Sequence, residues 1–277
     1  MMTAFDMLTA IQASVSEPPA TATHNATTSS WFPIMPAEAP TRLFCFGYAG
    51  GGASIFKTWP GAFGADVDVV AVQPPGREDR ALQPPYRRLE ALIDDLQRAI
   101  RPHLDRPFAF YGHSMGALVS FELTRQLQRD GDPLPYHLFP AAFRAPHLPN
   151  PNFHISHLPD EVLKAVLARE GTPAELLRDT AFMSKVLPTL RADFEVCETY
   201  EHRSQDPLPM PISALGGAND VRVKPALMKG WAEHTHAEFD LTILPGSHFF
   251  LHGARTHIIE VLDRRLRVRS VQGTPTC

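Results

Sequence analysis

The chain has 277 residues, of which 44% are hydrophobic and 20% charged, and its formal net charge is −4. This size and composition allow one large α/β domain or two small ones, and the negative charge argues against binding to the phosphate backbone of nucleic acids. The sequence has no run of about 18 apolar residues, so we expect neither a transmembrane helix nor a membrane partner.

The ends of the chain differ in character from its middle. Residues 1–30 lack the basic start and unbroken apolar core of a signal peptide, and their Ser, Thr, Ala and Pro content predicts a disordered leader. Residues 271–277 are expected to form a tail, which leaves residues 31–270 as the predicted domain. The three cysteines, Cys45, Cys197 and Cys277, are too few for a disulfide framework and predict a reducing, cytoplasmic location.

Short apolar runs alternate with helical patterns along the predicted domain. The predicted strands are 42–46, 68–72, 106–111, 136–143, 212–215 and 238–244, and the main predicted helices are 89–103, 117–127 and 256–266. This alternation is typical of an α/β fold with a mostly parallel central sheet flanked by helices.

One interval breaks the alternation. Residues 149–206 contain three helical patterns, at 160–170, 173–177 and 180–202, and no strand pattern. A helical insertion between two strands predicts a lid over the carboxyl ends of the sheet strands.

The pentapeptide Gly112-His113-Ser114-Met115-Gly116 lies between a predicted strand and a predicted helix. A G-x-S-x-G sequence in that context predicts a nucleophile elbow, in which a sharp turn exposes the serine. Glycine suits the positions on either side because a Cβ there would meet the neighbouring strand or helix. The first N–H groups of the helix that follows would point at an anion that develops next to the serine. Ser114 is therefore the candidate nucleophile.

A serine hydroxyl needs a base to activate it and an acid to orient that base. In α/β-hydrolases the acid follows the serine in the chain and the histidine comes last. Asp220 directly follows the penultimate predicted strand, and His248 directly follows the last one. The alternative acids, none of which directly follows the penultimate strand, are Asp193, Asp206 and Asp240.

The other histidines have competing interpretations. His248 and His252 would share one face of a helix, but two histidines without a nearby glutamate or cysteine make a weak metal site, so we expect no metal. The ring of His113 is expected to point away from the serine along the turn. His234 and His236 are expected in a surface loop.

The first predicted strand ends in a glycine-rich loop at residues 47–52. The loop has neither the Gly-Lys-Ser/Thr ending nor the G-x-G-x-x-G spacing of a nucleotide site, so we expect no diffusible cofactor. In this fold the oxyanion hole combines the N–H after the nucleophile with an N–H from such a loop. Met115 and Ala49 are the candidates for these two donors.

Five blocks of sequence resemble type II thioesterases, the stand-alone editing thioesterases of polyketide and non-ribosomal peptide assembly lines. The resemblance runs in order from about residue 42 to residue 262, through blocks at 46–54, 75–80, 107–117, 215–220 and 246–251. The blocks Pro-Gly-Arg-Glu-Asp-Arg at 75–80 and Ser-His-Phe-Phe-Leu at 247–251 distinguish it from general lipases and esterases. In one departure, the family often has proline where Gly47 stands.

The resemblance implies an α/β-hydrolase fold and a function. Aberrant or stalled short acyl groups would be hydrolysed from the phosphopantetheine thiol of carrier proteins, without a metal or cofactor. Ser114 would attack, His248 would transfer the proton, Asp220 would orient His248, and the N–H groups of Ala49 and Met115 would bind the oxyanion. A carboxylic ester hydrolase or an acyltransferase on the same fold is the alternative.

The resemblance also implies partners, namely acyl or peptidyl carrier protein domains, and the chain is expected to act as a monomer. Acidic carrier proteins would dock near the entrance to the site, where Arg77, Arg80 or Arg191 could contribute. Structural ion pairs within loops are the alternative role for these arginines.

Overall fold

The computed structural model describes residues 30–36, 38–169 and 172–267. The predicted tail, and the predicted leader apart from its last residue, lie outside these residues. None of the described helices combines the length and the apolar character needed to cross a bilayer.

Six parallel strands form one sheet in the order β2-β1-β3-β4-β5-β6. The strands are β1 Thr41–Phe46, β2 Val67–Ala71, β3 Phe108–His113, β4 Leu138–Ala141, β5 Ile212–Gly217 and β6 Phe239–Leu244. All six predicted strands are present, and their ends lie within two residues of the predicted ones. After β2 the chain crosses to the other side of β1 to form β3, and this reversal leaves a crevice at the carboxyl ends of the central strands.

Helices cover both faces of the sheet. The α-helices are α1 Leu89–Ile100, α2 Met115–Asp130, α3 Asp160–Arg169, α4 Ala174–Arg178, α5 Thr180–Glu198, α6 Pro225–Met228, α7 Phe250–Gly253 and α8 Arg255–Arg267. Short 3-10 helices lie at Ala53–Phe56, Glu78–Arg80, Arg101–His103 and Lys229–His234. The predicted long helices α1, α2 and α8 are present, whereas the short α6 and α7 were not predicted.

The two faces of the sheet bury separate cores because successive strand side chains point to opposite sides. On β1, Leu43 and Cys45 pack with α8 and the lid helices, while Phe44 and Phe46 pack with α1 and α2. Strands β3, β4 and β5 are buried along their whole length, as expected for a parallel sheet covered on both sides.

The lid consists of α3, α4 and α5, and the described part of residues 149–206 contains no strand. Helix α5 ends at Glu198, four residues before the predicted end. Just beyond it, Tyr200 donates a hydrogen bond of 2.7 Å to Glu122 of α2. The chain after α5 therefore turns away from the helix axis and contacts α2.

Candidate active site

Three loops at the carboxyl ends of β3, β5 and β6 bring Ser114, Asp220 and His248 together. The Nε2 atom of His248 lies 2.9 Å from Ser114 Oγ, and its Nδ1 atom lies 2.8 Å from Asp220 Oδ2. We expected these three side chains to act together because each follows a predicted strand. The structure places them within hydrogen-bond distance of one another in the order Ser114, His248, Asp220.

The turn around Ser114 is strained, and its glycines explain why it can form. Ser114 has a φ of +55°, a left-handed value that non-glycine residues rarely adopt. A Cβ on Gly112 would lie 2.2 Å from Gly116 O, and one on Gly116 would lie 2.2 Å from Phe46 O. Strand, turn and helix therefore approach closely enough to hold Ser114 at the tip.

Asp220 is arranged to remain ionised. Burial alone would raise the pKa of its carboxyl, but the hydrogen bond and charge of His248, with the amides of Val223 and Arg222, outweigh burial and lower it. The two backbone N–H groups donate to Oδ1 at 2.9 and 2.8 Å. An ionised Asp220 can only accept from His248, so the histidine proton lies on Nδ1 and the Nε2 lone pair faces the Ser114 hydroxyl.

His113 has a role that sequence reasoning missed. Its ring was expected to point away from Ser114 along the turn, and its Nε2 atom lies 2.8 Å from the backbone oxygen of His248, a contact that was not predicted. Burial, followed by the charge of His248, lowers the pKa of His113 to about 3, so the ring is neutral near pH 7. Because a carbonyl only accepts, Nε2–H is the donor, and Tyr111 O–H donates to Nδ1 at 3.3 Å. The only sequence signal was the proximity of His113 to Ser114.

Ala49 and Met115, the two expected donors of the oxyanion hole, both lie close to Ser114. Ala49 lines the same cavity as Ser114 and His248, and Met115 is the first residue of α2. Within the described part of the chain, neither backbone N–H donates to another group of the protein. Both N–H groups are thus available for a ligand at this site.

The cavity over Ser114 has a volume of about 90 Å³ and is walled by the lid and by the loop after β4. Phe143, Ile155 and Phe194 give the cavity part of its apolar surface. Cys197 also lines it, but burial raises the pKa of its thiol to about 12. The thiol therefore stays protonated and cannot compete with Ser114 as a nucleophile.

The other candidate acids and histidines have different partners. Asp193 and Asp240 are paired with Arg77 and Arg265, and Asp206 is exposed. His252 Nε2 lies 2.9 Å from the Tyr48 hydroxyl, and the described residues contain no group of three potential metal ligands. The surface position expected for His236 is correct, but that for His234 is wrong, since His234 is buried against His147.

Two of the arginines considered for carrier docking are not available at the surface. Arg77 and Arg80 are 6% and 7% exposed. Arg77 pairs with Asp193, and Arg80 donates to the backbone oxygen of Gln73 at 2.8 Å. Arg191 is committed too, to Asp160 and to the backbone oxygen of Ser156. Arg77 and Arg191 form ion pairs, although Arg191 lies on α5 and not in a loop, whereas Arg80 is held by hydrogen bonds to Gln73 and Gln83.

A serine after β3, an aspartate after β5 and a histidine after β6 of a parallel sheet, under a helical lid, define the α/β-hydrolase class. Comparisons with known proteins narrow this class. A family model for the thioesterase domain matches residues 41–266, and the chain belongs to the thioesterase family. It is a thioester hydrolase.

Two curated relatives carry the word gramicidin in their names. The chain is 43% identical to linear gramicidin dehydrogenase LgrE of Brevibacillus parabrevis, over 86% of this chain and 93% of that one. It is 40% identical to gramicidin S biosynthesis protein GrsT of Aneurinibacillus migulanus, over 84% and 91%.

Two similar solved structures are thioesterases, and the first of them is described as type II. BorB, from the borrelidin biosynthetic cluster, is 33% identical with a TM-score of 0.79, over 88% of this chain and 100% of that one. RedJ, from the prodiginine pathway of Streptomyces coelicolor, is 36% identical with a TM-score of 0.76, over 90% and 98%. The fold and the recognition of a type II thioesterase made from the sequence are confirmed.

Proposed function

We propose that the protein hydrolyses acyl groups from the phosphopantetheine thiol of carrier proteins in polyketide or non-ribosomal peptide synthesis. This assignment is supported by the names of GrsT, a gramicidin S biosynthesis protein, and of BorB and RedJ, thioesterases of the borrelidin cluster and the prodiginine pathway. The observation that carries the proposed mechanism is the imidazole of His248, which bridges Ser114 Oγ and Asp220 Oδ2 at 2.9 and 2.8 Å.

In the first half of the proposed reaction, Ser114 Oγ attacks the thioester carbonyl carbon while its proton moves to His248 Nε2. The carbonyl oxygen becomes an oxyanion and accepts hydrogen bonds from the N–H groups of Ala49 and Met115. Each such donor contributes about 3 kcal/mol of barrier lowering. The C–S bond then breaks, His248 returns the proton to the departing thiol, and the acyl group remains on Ser114.

In the second half, a water molecule attacks the acyl-enzyme carbonyl and gives a proton to His248. The same N–H groups hold the second oxyanion, and collapse releases the free acid with the proton returned to Ser114. Asp220 stabilises the imidazolium in both halves without taking up the proton. The steps require only residues of this chain and water.

The name of LgrE raises the question of a dehydrogenase. Hydride transfer needs a bound dinucleotide, whose phosphates require free backbone N–H groups in a glycine-rich loop. Here the loop at residues 47–54 donates its N–H groups of Gly50, Ala53 and Ser54 to side chains of the protein, namely Asp193, Gln73 and Glu78. Two of these acceptors are carboxylates, which would repel a pyrophosphate.

The proposal is tested by comparing kcat/KM for one acyl group presented as a carrier-protein thioester, a free pantetheine thioester and an oxygen ester. We expect the carrier-protein thioester to be the best substrate and water the acceptor. Preference for the oxygen ester would identify a carboxylic ester hydrolase instead, and transfer to an added alcohol or amine in preference to water would identify an acyltransferase. The cytoplasmic location and the monomeric state remain predictions.

A further inference from the structure

A buried ion pair joins the lid to the loop that carries Ala49. Asp193, on lid helix α5, is 3% exposed, and its two carboxylate oxygens accept parallel hydrogen bonds from Arg77 at 2.8 and 2.9 Å. Arg77 also donates to Gly51 O at 3.1 Å. The pair therefore connects three segments: α5, the loop after β2, and the loop at residues 47–54, which we call the Ala49 loop.

Asp193 also binds the turn that presents Ala49. Gly51 N–H donates to Tyr48 O at 2.9 Å, and Gly50 has a φ of +79°, the value of the third residue of a type II turn. The orientation of the central peptide, between Ala49 and Gly50, distinguishes type II from type I turns. Asp193 Oδ2 accepts the N–H of this peptide at 2.6 Å. The lid thus fixes the orientation of the peptide that follows Ala49.

We propose that Asp193 and Arg77 are positioning residues that couple the seating of the lid helix to the formation of the oxyanion hole. The inference rests on the proposed function, since it concerns the N–H that binds the oxyanion. With α5 seated, the Asp193 carboxylate holds the turn and Ala49 N–H faces the reacting carbonyl. When α5 lifts, the turn loses this anchor, so the complete hole exists only under a closed lid.

The chemistry of the pair fits positioning better than packing alone. Burying two charges is costly, and an apolar pair of similar volume often stabilises a protein equally well. An apolar residue at position 193 would leave Gly50 N–H buried without an acceptor. A carboxylate gives that N–H a charge-assisted bond, which is roughly twice as strong as a neutral one. The Arg77 guanidinium holds the carboxylate at this place.

The test is Asp193→Asn, which preserves size but cannot accept from both Arg77 and Gly50 without placing its NH₂ against a donor. On an acyl-carrier thioester we expect kcat to fall about 10- to 100-fold, as for the weakening of one oxyanion donor. KM should change by less than about threefold, because ground-state contacts remain. Affinity for an acyl trifluoromethyl ketone, whose adduct places an oxyanion in the hole, should fall by a similar factor.

Thr189→Val is the matched control on the same helix. Thr189, one turn before Asp193, donates to Gly76 O at 2.6 Å, so the variant also removes a polar contact of the lid but none to the Ala49 loop. We expect its kcat and ketone affinity to stay within about twofold of the unchanged protein. A purely structural role for Asp193 would lower the Tm of the Asp193→Asn variant but leave its kcat and ketone affinity unchanged well below that Tm.

An Asp193→Asn protein with unchanged kcat and ketone affinity would overturn the coupling. Failure of the unchanged protein to hydrolyse any acyl-carrier thioester would instead refute the proposed function, so the two failures are distinct. If Asp193→Asn does not fold, Arg77→Lys keeps the charge but cannot bond both Asp193 oxygens and Gly51 O with the same geometry. We expect kcat and ketone affinity to fall about 3- to 10-fold in that variant, and unchanged values there also overturn the inference.

Discussion

His248 is contacted at three points, two on its imidazole and one on its backbone, and each contact constrains a different atom. Asp220 accepts from Nδ1, Ser114 faces Nε2, and His113 binds the backbone oxygen. The first contact sets the tautomer and the third sets the position of the chain segment that carries the ring. A change at each point should therefore have a distinct effect on the reaction.

Replacement of Asp220 by asparagine tests the tautomer. The amide of Asp220→Asn can donate to Nδ1, which would move the histidine proton to Nε2 and remove the acceptor for the Ser114 proton. We expect kcat to fall about 10⁴-fold with little loss of stability. Steady-state hydrolysis of an acyl-carrier thioester measures this, and a loss below about tenfold would show that Asp220 does not set the tautomer.

Replacement of His113 by phenylalanine tests the backbone contact. The variant keeps the aromatic volume but removes the donor to His248 O. Because the loop of His248 would be less well fixed, we expect kcat to fall about 10-fold, with KM nearly unchanged. Tyr111→Phe is the control, since it removes only the partner on the far side of the His113 ring. Equal kcat values for the two variants would contradict a specific role of the His113–His248 contact.

Parts of the site that follow from short sequence patterns could be predicted, and those that depend on contacts between distant residues could not. Ser114, Asp220 and His248 directly follow strands, and in a parallel sheet the carboxyl ends of strands meet at one edge, so their proximity could be inferred. The contacts of His113 to His248 and of Asp193 to Gly50 join residues 135 and 143 positions apart. No local pattern encodes them, and they depend on how loops and lid pack.

At the scale of elements, the elbow depends on close contact between α2, β1 and β3. A substitution of Gly116→Ala would place a methyl group 2.2 Å from Phe46 O, a backbone atom that can move only with β1. We expect the free energy of unfolding to fall by more than the cost of placing an alanine in the left-handed conformation, which is about 1–2 kcal/mol. We also expect hydrolysis to be lost. Urea denaturation and the acyl-carrier assay measure the two effects.

Gly131→Ala is the matched control for the elbow. Gly131 follows α2 with a φ of +71°, and no atom lies within 4 Å of its added Cβ. This variant should lose about 1–2 kcal/mol of unfolding free energy through backbone strain alone and keep its activity. A Gly116→Ala protein as stable and as active as Gly131→Ala would contradict the tight elbow.

Elements with a strong periodic pattern could be predicted, and those defined by packing could not. The sheet strands are apolar runs bounded by glycine and proline, and α1 carries its apolar residues at helical spacing. The short α6 and α7 contain only four residues each, too few for a period to show. The end of α5 is set by Tyr200 reaching Glu122, a contact between distant segments.

Among the residues that the structure describes, burial favours the neutral form of three histidines, His113, His137 and His234. Burial lowers the pKa of His113 and His234 to about 3 and that of His137 to about 4. The unfolded chain binds protons at these residues below about pH 6.5, whereas the folded protein does not. The contribution of these histidines to the free energy of unfolding is therefore fully present above about pH 6.5. It is lost as the pH falls towards their pKa values in the folded protein.

His137 is the residue with which to test this acid sensitivity. It lies outside the active site, with Nε2 2.9 Å from Ser213 Oγ, and the amide of His137→Gln can donate to the same oxygen. The difference in unfolding free energy between pH 7 and pH 5 should shrink by about 2 kcal/mol in the variant. Urea unfolding at the two pH values measures it, and an unchanged difference would show that His137 takes up a proton as readily folded as unfolded.

In the proposed reaction Ser114, activated by His248, carries the acyl group. This role of Ser114 is tested most directly by treating the protein with a fluorophosphonate while following acyl-carrier hydrolysis and locating the label by peptide mass. We predict one label, on Ser114, with activity lost in proportion to labelling, and a Ser114→Ala protein that neither reacts nor hydrolyses. Labelling at another residue, or a Ser114→Ala protein with undiminished hydrolysis, would contradict the account.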